Sequence, residues 1–162
     1  MKEIPLSQGK FAFVNDEDFA ELSKFKWCAD KDGYAKRNVP HPTIEGRRIR
    51  VMMHRQLMGL AYGDGLCVDH IDGNTLNNCR SNLRIATNAQ NQRNVGAKCS
   101  NKSGYKGVSW SSRDKKWYAH IQYNGERTYL GCFDDPELAS LAYQVAASEL
   151  HGEFANFGSI GS

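Results

Sequence analysis

Along the first half of the chain, apolar residues alternate with polar ones over runs of a few positions, broken by Asn, Asp and Gly. That rhythm predicts short strands and short helices. In "KFAFVNDEDF", Phe11, Phe13 and Val14 predict a strand and Asn15 to Asp18 a helix start, which "DFAELSKF" completes as a single short helix. "WCADKDGYAKR" predicts a hairpin turning at Asp32-Gly33, and "RRIRVMM" a strand leading into a helix near "HRQLMGLAYG". Next, "CVDHI" predicts a strand, "DGNTLNNCRSN" a long polar loop, "LRIA" a returning strand and "TNAQNQRN" a helix capped by Thr87. This ββα unit has a thin core of Val68, Ile71, Leu76, Leu83 and Ile85, so it must lean on the first segment or on a ligand.

"VGAKCSNKSG" is polar and glycine-bearing and predicts a linker. Beyond it, "YKGVSW", "KWYAHIQY" and "RTYLGCF" predict three strands turning at Arg113-Asp114 and Asn124-Gly125. "DDPELASLAYQVAASELHG" predicts a helix, with Pro136 at its first position and Gly152 past its end. Ala139, Ala142 and Ala146 form a small-residue stripe that lets this helix lie close to the sheet. Strand alternation points Val108, Trp117, Ala119 and Ile121 toward the helix and Ser109, Ser111, Tyr118, His120 and Gln122 away from it. The whole predicts an α+β protein: a small N-terminal α+β unit joined to a ββα core (together residues 1–97), a linker (98–103), and a three-stranded antiparallel sheet packed on one helix (104–158).

Of the 162 residues, 40% are hydrophobic and 24% charged, the balance of a globular protein. No apolar run reaches the roughly 18 residues of a membrane span, and "MKEIPLSQGK" lacks a signal-peptide layout, which predicts a cytoplasmic location. The odd set Cys28, Cys67, Cys79, Cys99 and Cys132 has no CxxC pair, so free thiols are expected; a metal site from Cys67, Cys79 and Cys99 is the alternative. The net charge is only +3, yet residues 80–116 hold nine Lys or Arg against one acid, Asp114, whereas residues 132–162 hold five acids and no Lys or Arg. A polyanion partner is expected for the middle and a solvent face for the end.

The asparagine-rich stretch from Val68 to Asn94 contains the candidate chemistry. Hydrolysis of a phosphodiester needs an activated water and a cation on the phosphate oxygens. His70 can accept a proton near neutral pH, while the Asp69 carboxylate and the Asn91 amide are hard oxygen donors suited to Mg²⁺, with Mn²⁺ as a substitute. Adjacent strand residues face opposite ways, so Asp69 and His70 share a site only where the strand ends, which "IDGN" supplies. Asn82 is placed to hydrogen-bond within the loop and orient His70. The competing reading is that His70 and the asparagines only cap turns, as Asn74, Asn77 and Asn78 are expected to do.

"VDHIDGNTLNNCRSNLRIATNAQNQRN", with the upstream "MHRQLMG", resembles the HNH endonuclease family, specifically its small phage and bacterial homing-type members. The resemblance covers about residues 45–95. It implies a ββα-metal fold with His70 as general base, Asn82 as the residue that positions it, and Asp69 with Asn91 as ligands of one divalent ion. Asn91 stands where histidine is the third motif letter. A His-Arg pair is also part of the pattern: His54 would support the site or simply pack at a helix start, and Arg55 would grip a phosphate.

"GYKGVSWSSRDKKWYAHIQYNGERTYLGCFDDPELASLAYQVAASELHGEFANF" resembles the Apetala-type DNA-binding domain of ethylene-response factors. That implies a sheet in the DNA major groove, with Ser109, Ser111, Arg113, His120, Gln122, Arg127 and Tyr129 on the reading face and Lys106 flanking it. Serines, His120 and Gln122 stand where arginines and a glutamate are usual, so phosphate contacts would carry more of the affinity. The expected protein is a metal-dependent, site-selective endonuclease of homing type that nicks double-stranded DNA as a monomer or weak dimer in a bacterial or phage-infected cell. Arg47, Arg48, Arg50, Arg55 and Arg93 would hold the duplex. A catalytically inactive DNA-binding regulator is the alternative; an RNA-binding module is disfavoured because a sheet lacking exposed aromatic pairs suits a groove better than splayed bases.

Overall fold

The first strand, β1 (Lys2–Pro5), is one that the alternation does not flag; it pairs antiparallel with β2 (Phe11–Val14), Ile4 opposite Ala12. Helix α1 (Asp16–Leu22) follows with three acids in its first turn, favourable to the helix dipole. The Asn15 carboxamide accepts from the Arg80 backbone N–H at 2.8 Å instead of capping α1. The turn at Asp32-Gly33 joins β3 (Cys28–Ala29) to β4 (Ala35–Pro40), and β5 (Arg48–Met52) completes a three-stranded antiparallel sheet before α2 (Met53–Leu57). A hairpin of β6 (Cys67–His70) and β7 (Leu83–Ala86) precedes α3 (Asn88–Asn94).

The computed structural model describes residues 1–94 and 101–157. Its packing divides the chain into two units, Met1–Asn88 and Ala89–Ser162, so α3 begins in one and continues in the other. The linker at 98–103 lies partly outside the described residues, as do Lys98 and Cys99.

The first unit has one apolar core. Val68 and Leu83 join Ile4, Val14, Trp27 and Met53 there, and Leu76 packs against them. The β6–β7 hairpin thus leans on the N-terminal segment. Ile71 and Ile85, expected in that core, are instead 46% and 45% exposed: Ile71 lies past the end of β6, and Ile85, although paired with Val68, is left uncovered by the core. The long loop is stitched down by backbone bonds, Phe13 N–H to the Leu76 carbonyl and Asn78 N–H to the Phe13 carbonyl, each 2.8 Å. Arg80 clamps it to α1, its Nε and a terminal nitrogen donating to Asp18 at 2.9 and 2.7 Å, a bidentate geometry.

In the second unit, β8 (Val108–Ser111), β9 (Lys116–Tyr123) and β10 (Glu126–Phe133) form an antiparallel sheet with β9 central. Asn124 and Gly125 turn the β9–β10 hairpin at φ +50° and +88°. Helix α4 (Pro136–His151) is capped by Asp135, which accepts from Glu137 N–H at 2.7 Å. Ala139, Tyr143 and Ala147 are its buried apolar residues, with Ala142 and Ala146 beside them. Gly107 permits this approach: a Cβ there would lie 2.2 Å from the Tyr143 ring. The opposite side of α4 leaves Leu138, Leu141 and Val145 more than half exposed, so the expected solvent face is partly apolar.

Candidate functional site

Asp69 and His70 are the last two residues of β6, and both are buried. Register sets Asp69 opposite Arg84 and His70 opposite Leu83. Arg84 donates to Asp69 Oδ2 from Nε at 2.8 Å and from a terminal nitrogen at 2.6 Å, with both side chains nearly withdrawn from water. Sequence reasoning counted Arg84 only as local charge; the signal for its role is its place opposite Asp69, visible once register is known.

His70 sits in a cluster of rings drawn from three elements of the first unit. The His54 ring, on α2, lies 5.1 Å from it at 84°, and Tyr34, at the end of the β3–β4 turn, lies 5.8 Å from His70 and 5.3 Å from His54. His54, split between packing and support by sequence, is therefore beside the candidate base. Burial is the main cause that drives the His54 pKa down to about 3, aided by the neighbouring His70 and Arg55. Its Nδ1 is buried with no hydrogen-bond partner among the described residues. Burial also lowers the His70 pKa, opposed by a hydrogen bond with Asn78 and by the Asp72 and Asp69 carboxylates. His70 is thus a neutral imidazole near pH 7, able to take a proton.

The asparagines mostly build the loop. Asp72 Oδ1 accepts from Asn74 N–H at 2.8 Å and from Asn82 Nδ2 at 2.9 Å, while Asn77 Nδ2 donates to Asp72 Oδ2 at 2.8 Å. Burial pushes the Asp72 carboxyl up, but those bonds outweigh it and leave the pKa below the usual value. Asn82 is buried: its Oδ1 accepts from Asp72 N–H at 3.0 Å and its Nδ2 also donates to the Asn77 carbonyl at 2.9 Å. Its backbone carbonyl takes Ile71 N–H at 2.9 Å, so Asn82 fixes the chain as it leaves His70. The bonds are made within the loop as expected; any effect on His70 passes through the backbone.

Asn91 lies on α3, half-buried, and is grouped with the second unit. Arg47, Arg48 and Arg50 are exposed. The Arg55 guanidinium, expected at a phosphate, is taken up by the 61–66 loop, donating to the Ala61 carbonyl and to Asp64 Oδ1 at 2.6 Å each and to the Leu66 carbonyl. Cys67 donates to Asn88 Oδ1 at 2.8 Å and Cys79 is buried, while Cys99 is not among the described residues.

In the second unit, Ser109, Gln122, Arg127 and Tyr129 are exposed and Ser111 and His120 half-buried, on the face away from α4. Ser111 and Tyr118 donate to Asp114 at 2.8 and 2.6 Å, and Arg113 pairs with it at 3.1 Å. Tyr118, Ser111 and Arg113 together hold the Asp114 pKa at about 2. Lys106 does not flank this face freely: Nζ donates to the Arg93 carbonyl, and burial lowers its pKa to about 8. Arg93 in turn stacks over Tyr123 at 4.8 Å and donates to Asn124 Oδ1 at 3.1 Å. A cleft of about 1150 Å³ opens beside the sheet; Arg93, Lys102, Lys106 and Arg127 are among its described lining residues, and no acid is. On this outer face the exposed Tyr129 meets the half-buried rings of Tyr118 and His120, with ring centroids 5.5–6.2 Å apart, a cluster that the sequence did not reveal.

Comparison with known proteins gives a match of residues 51–93 to the model of an HNH endonuclease family. An HNH endonuclease of Acanthamoeba polyphaga mimivirus is 35% identical over 148 residues, covering 91% of this chain and 74% of that protein. Protein 3.8 of Escherichia phage T7 is 39% identical over 107 residues, covering 64% of this chain and 88% of that protein. No solved structure matches.

Proposed function

The chain belongs to the HNH endonuclease family, a family of DNA nucleases, and from that premise we propose a metal-dependent, site-selective endonuclease of homing type that nicks one strand of duplex DNA. The observation that carries this reading is the buried, neutral imidazole of His70 at the end of β6, beside Asp69 and enclosed by His54 and Tyr34.

In this mechanism His70 takes the proton of the attacking water, and Asn82 holds the departing loop so that the ring keeps its direction. His54 supports His70 as a neutral partner, since a second imidazolium in the cluster would repel the proton that His70 must accept. Asp69 and Asn91 would hold one divalent ion in a ββα-metal frame. Their donor set, one carboxylate and one amide, suits Mg²⁺ with Mn²⁺ as a substitute, and Arg84, paired with Asp69 Oδ2, would stand beside the ion. Such an ion supplies charge stabilisation to the crowded phosphate and the departing oxygen.

Arg47, Arg48 and Arg50 offer exposed cations for the duplex backbone, and Arg55 serves by ordering the 61–66 loop. The second unit would act as an Apetala-type docking domain (residues 104–158), meeting DNA through Ser109, Ser111, Arg113, His120, Gln122, Arg127 and Tyr129, with Arg93 and Lys106 in the adjoining basic cleft. One catalytic centre per chain favours a nick by a monomer or weak dimer. The relatives' phage and viral origin supports an enzyme acting in an infected cell.

Incubation of supercoiled plasmid with Mg²⁺, and with EDTA as control, tests this. Open circles that form only with the metal are expected. No relaxation at any metal concentration would leave the DNA-binding regulator as the surviving reading.

A further inference from the structure

Beside its polar side chains, the outer face of the second unit's sheet carries a group of rings that base-edge reading does not require. Pairing sets His120 opposite Tyr129, Gln122 opposite Arg127 and Tyr118 opposite Cys132. Because Ala119 and Ile121 are buried on the α4 side, residues 118, 120 and 122 must face away from it. At the centre of that face stand three rings in contact: Tyr118 and His120 stacked at 27°, with Tyr129, 52% exposed, 5.5 and 5.6 Å from them. The Tyr118 hydroxyl is committed to Asp114 at 2.6 Å, which fixes the ring and removes its hydroxyl hydrogen from base recognition. What this patch offers a nucleic acid is ring surface.

Ring surface is of little use against an intact duplex, whose base faces are covered by their neighbours. It gains contact only when a base leaves the stack. A second observation points the same way. The cleft beside the sheet, whose described lining carries four cations and no carboxylate, shares His120, Gln122 and Arg127 with this face, so a strand laid across the rings would run its phosphates into it.

We propose that Tyr118, His120 and Tyr129 form a stacking platform for unpaired nucleobases, and that the second unit therefore binds DNA containing unpaired bases in preference to fully paired DNA. This rests on the reading that the second unit meets DNA through this face, and it adds the form of DNA that the face selects.

The test is fluorescence anisotropy with the full chain in EDTA, so that no strand is cut. The probes are a fluorescein-labelled duplex of mixed sequence, the same duplex with a central mismatched run, and one strand alone. The mismatched duplex and the single strand should bind about tenfold more tightly than the intact duplex. Tyr129→Ala should weaken the mismatched duplex and the single strand several-fold more than the intact duplex and so remove the preference, and Tyr129→Phe should retain it. The half-exposed position allows the variant to fold, which its melting temperature checks.

Equal binding of all three probes by the unaltered chain would overturn the platform, as would Tyr129→Ala weakening all three equally. Tighter displacement by single-stranded RNA than by DNA of the same sequence would overturn the assignment to DNA. Arg127→Ala combined with Lys102→Ala should weaken every probe. If that double variant binds all of them as the parent does, the docking reading itself falls, whatever the tyrosine variants show.

Discussion

Arg84 and Asp69 face each other across the β6–β7 pair, the guanidinium placing two nitrogens 2.8 and 2.6 Å from one carboxylate oxygen, in a site from which both side chains are nearly excluded from water. The guanidinium balances the buried charge of a carboxylate that the proposed mechanism assigns to the metal.

Arg84→Gln should therefore have two effects of opposite sign. Leaving Asp69 buried without its cation should cost about 3 kcal/mol of stability in EDTA. Mn²⁺ should restore more of the melting temperature in the variant than it adds to the parent, because an ion that binds only the folded state stabilises it by mass action. Equal Mn²⁺ shifts in the two proteins would separate Asp69 from the metal.

The imidazole pair gives a pH dependence. An unfolded histidine titrates near 6.5, whereas burial holds the His54 pKa at about 3 in the folded chain. Between those values the unfolded chain takes up a proton that the folded chain refuses, so folding is favoured above the window and loses stability as pH falls through it. From pH 7 to pH 5, His54 alone should account for roughly 2 kcal/mol. Urea unfolding at the two pH values should show a smaller loss in His54→Phe than in the parent; identical losses would contradict the burial of a neutral ring.

Asn82→Ala removes a side chain that bonds Asp72 twice and the Asn77 carbonyl once. The loop that leaves His70 should loosen, costing about 2 kcal/mol and lowering kcat at least tenfold with KM little changed. A rise in KM at unchanged kcat would assign Asn82 to DNA binding instead.

Much of this arrangement was legible in the sequence, in uneven ways. Turn dipeptides such as Asn124-Gly125, the Pro136 and Gly152 ends of α4, and strand alternation in β9 are local signals, and they locate the elements of the second unit well. Local signals also singled out Asp69 and His70. What they could not give was register and long-range packing. Arg84 meets Asp69 only because of how β7 pairs with β6, and Tyr34 reaches His70 from a turn 36 positions earlier in the chain. The same lack sent Ile71 and Ile85 to a core that does not extend to cover them. It also hid the ring cluster, since Tyr118 and Tyr129 become neighbours through the β9–β10 pairing and its irregularity between Tyr129 and Gly131. β1 went unread because "KEIP" has one buried apolar side chain and no alternation to betray it.

The central claim is that His70 is the base in phosphodiester hydrolysis, and His70→Ala tests it most directly. With Mg²⁺ and supercoiled plasmid, the variant should bind duplex DNA within about twofold of the parent and nick it at least a hundredfold more slowly. A folded variant that nicks at the parental rate would contradict the account.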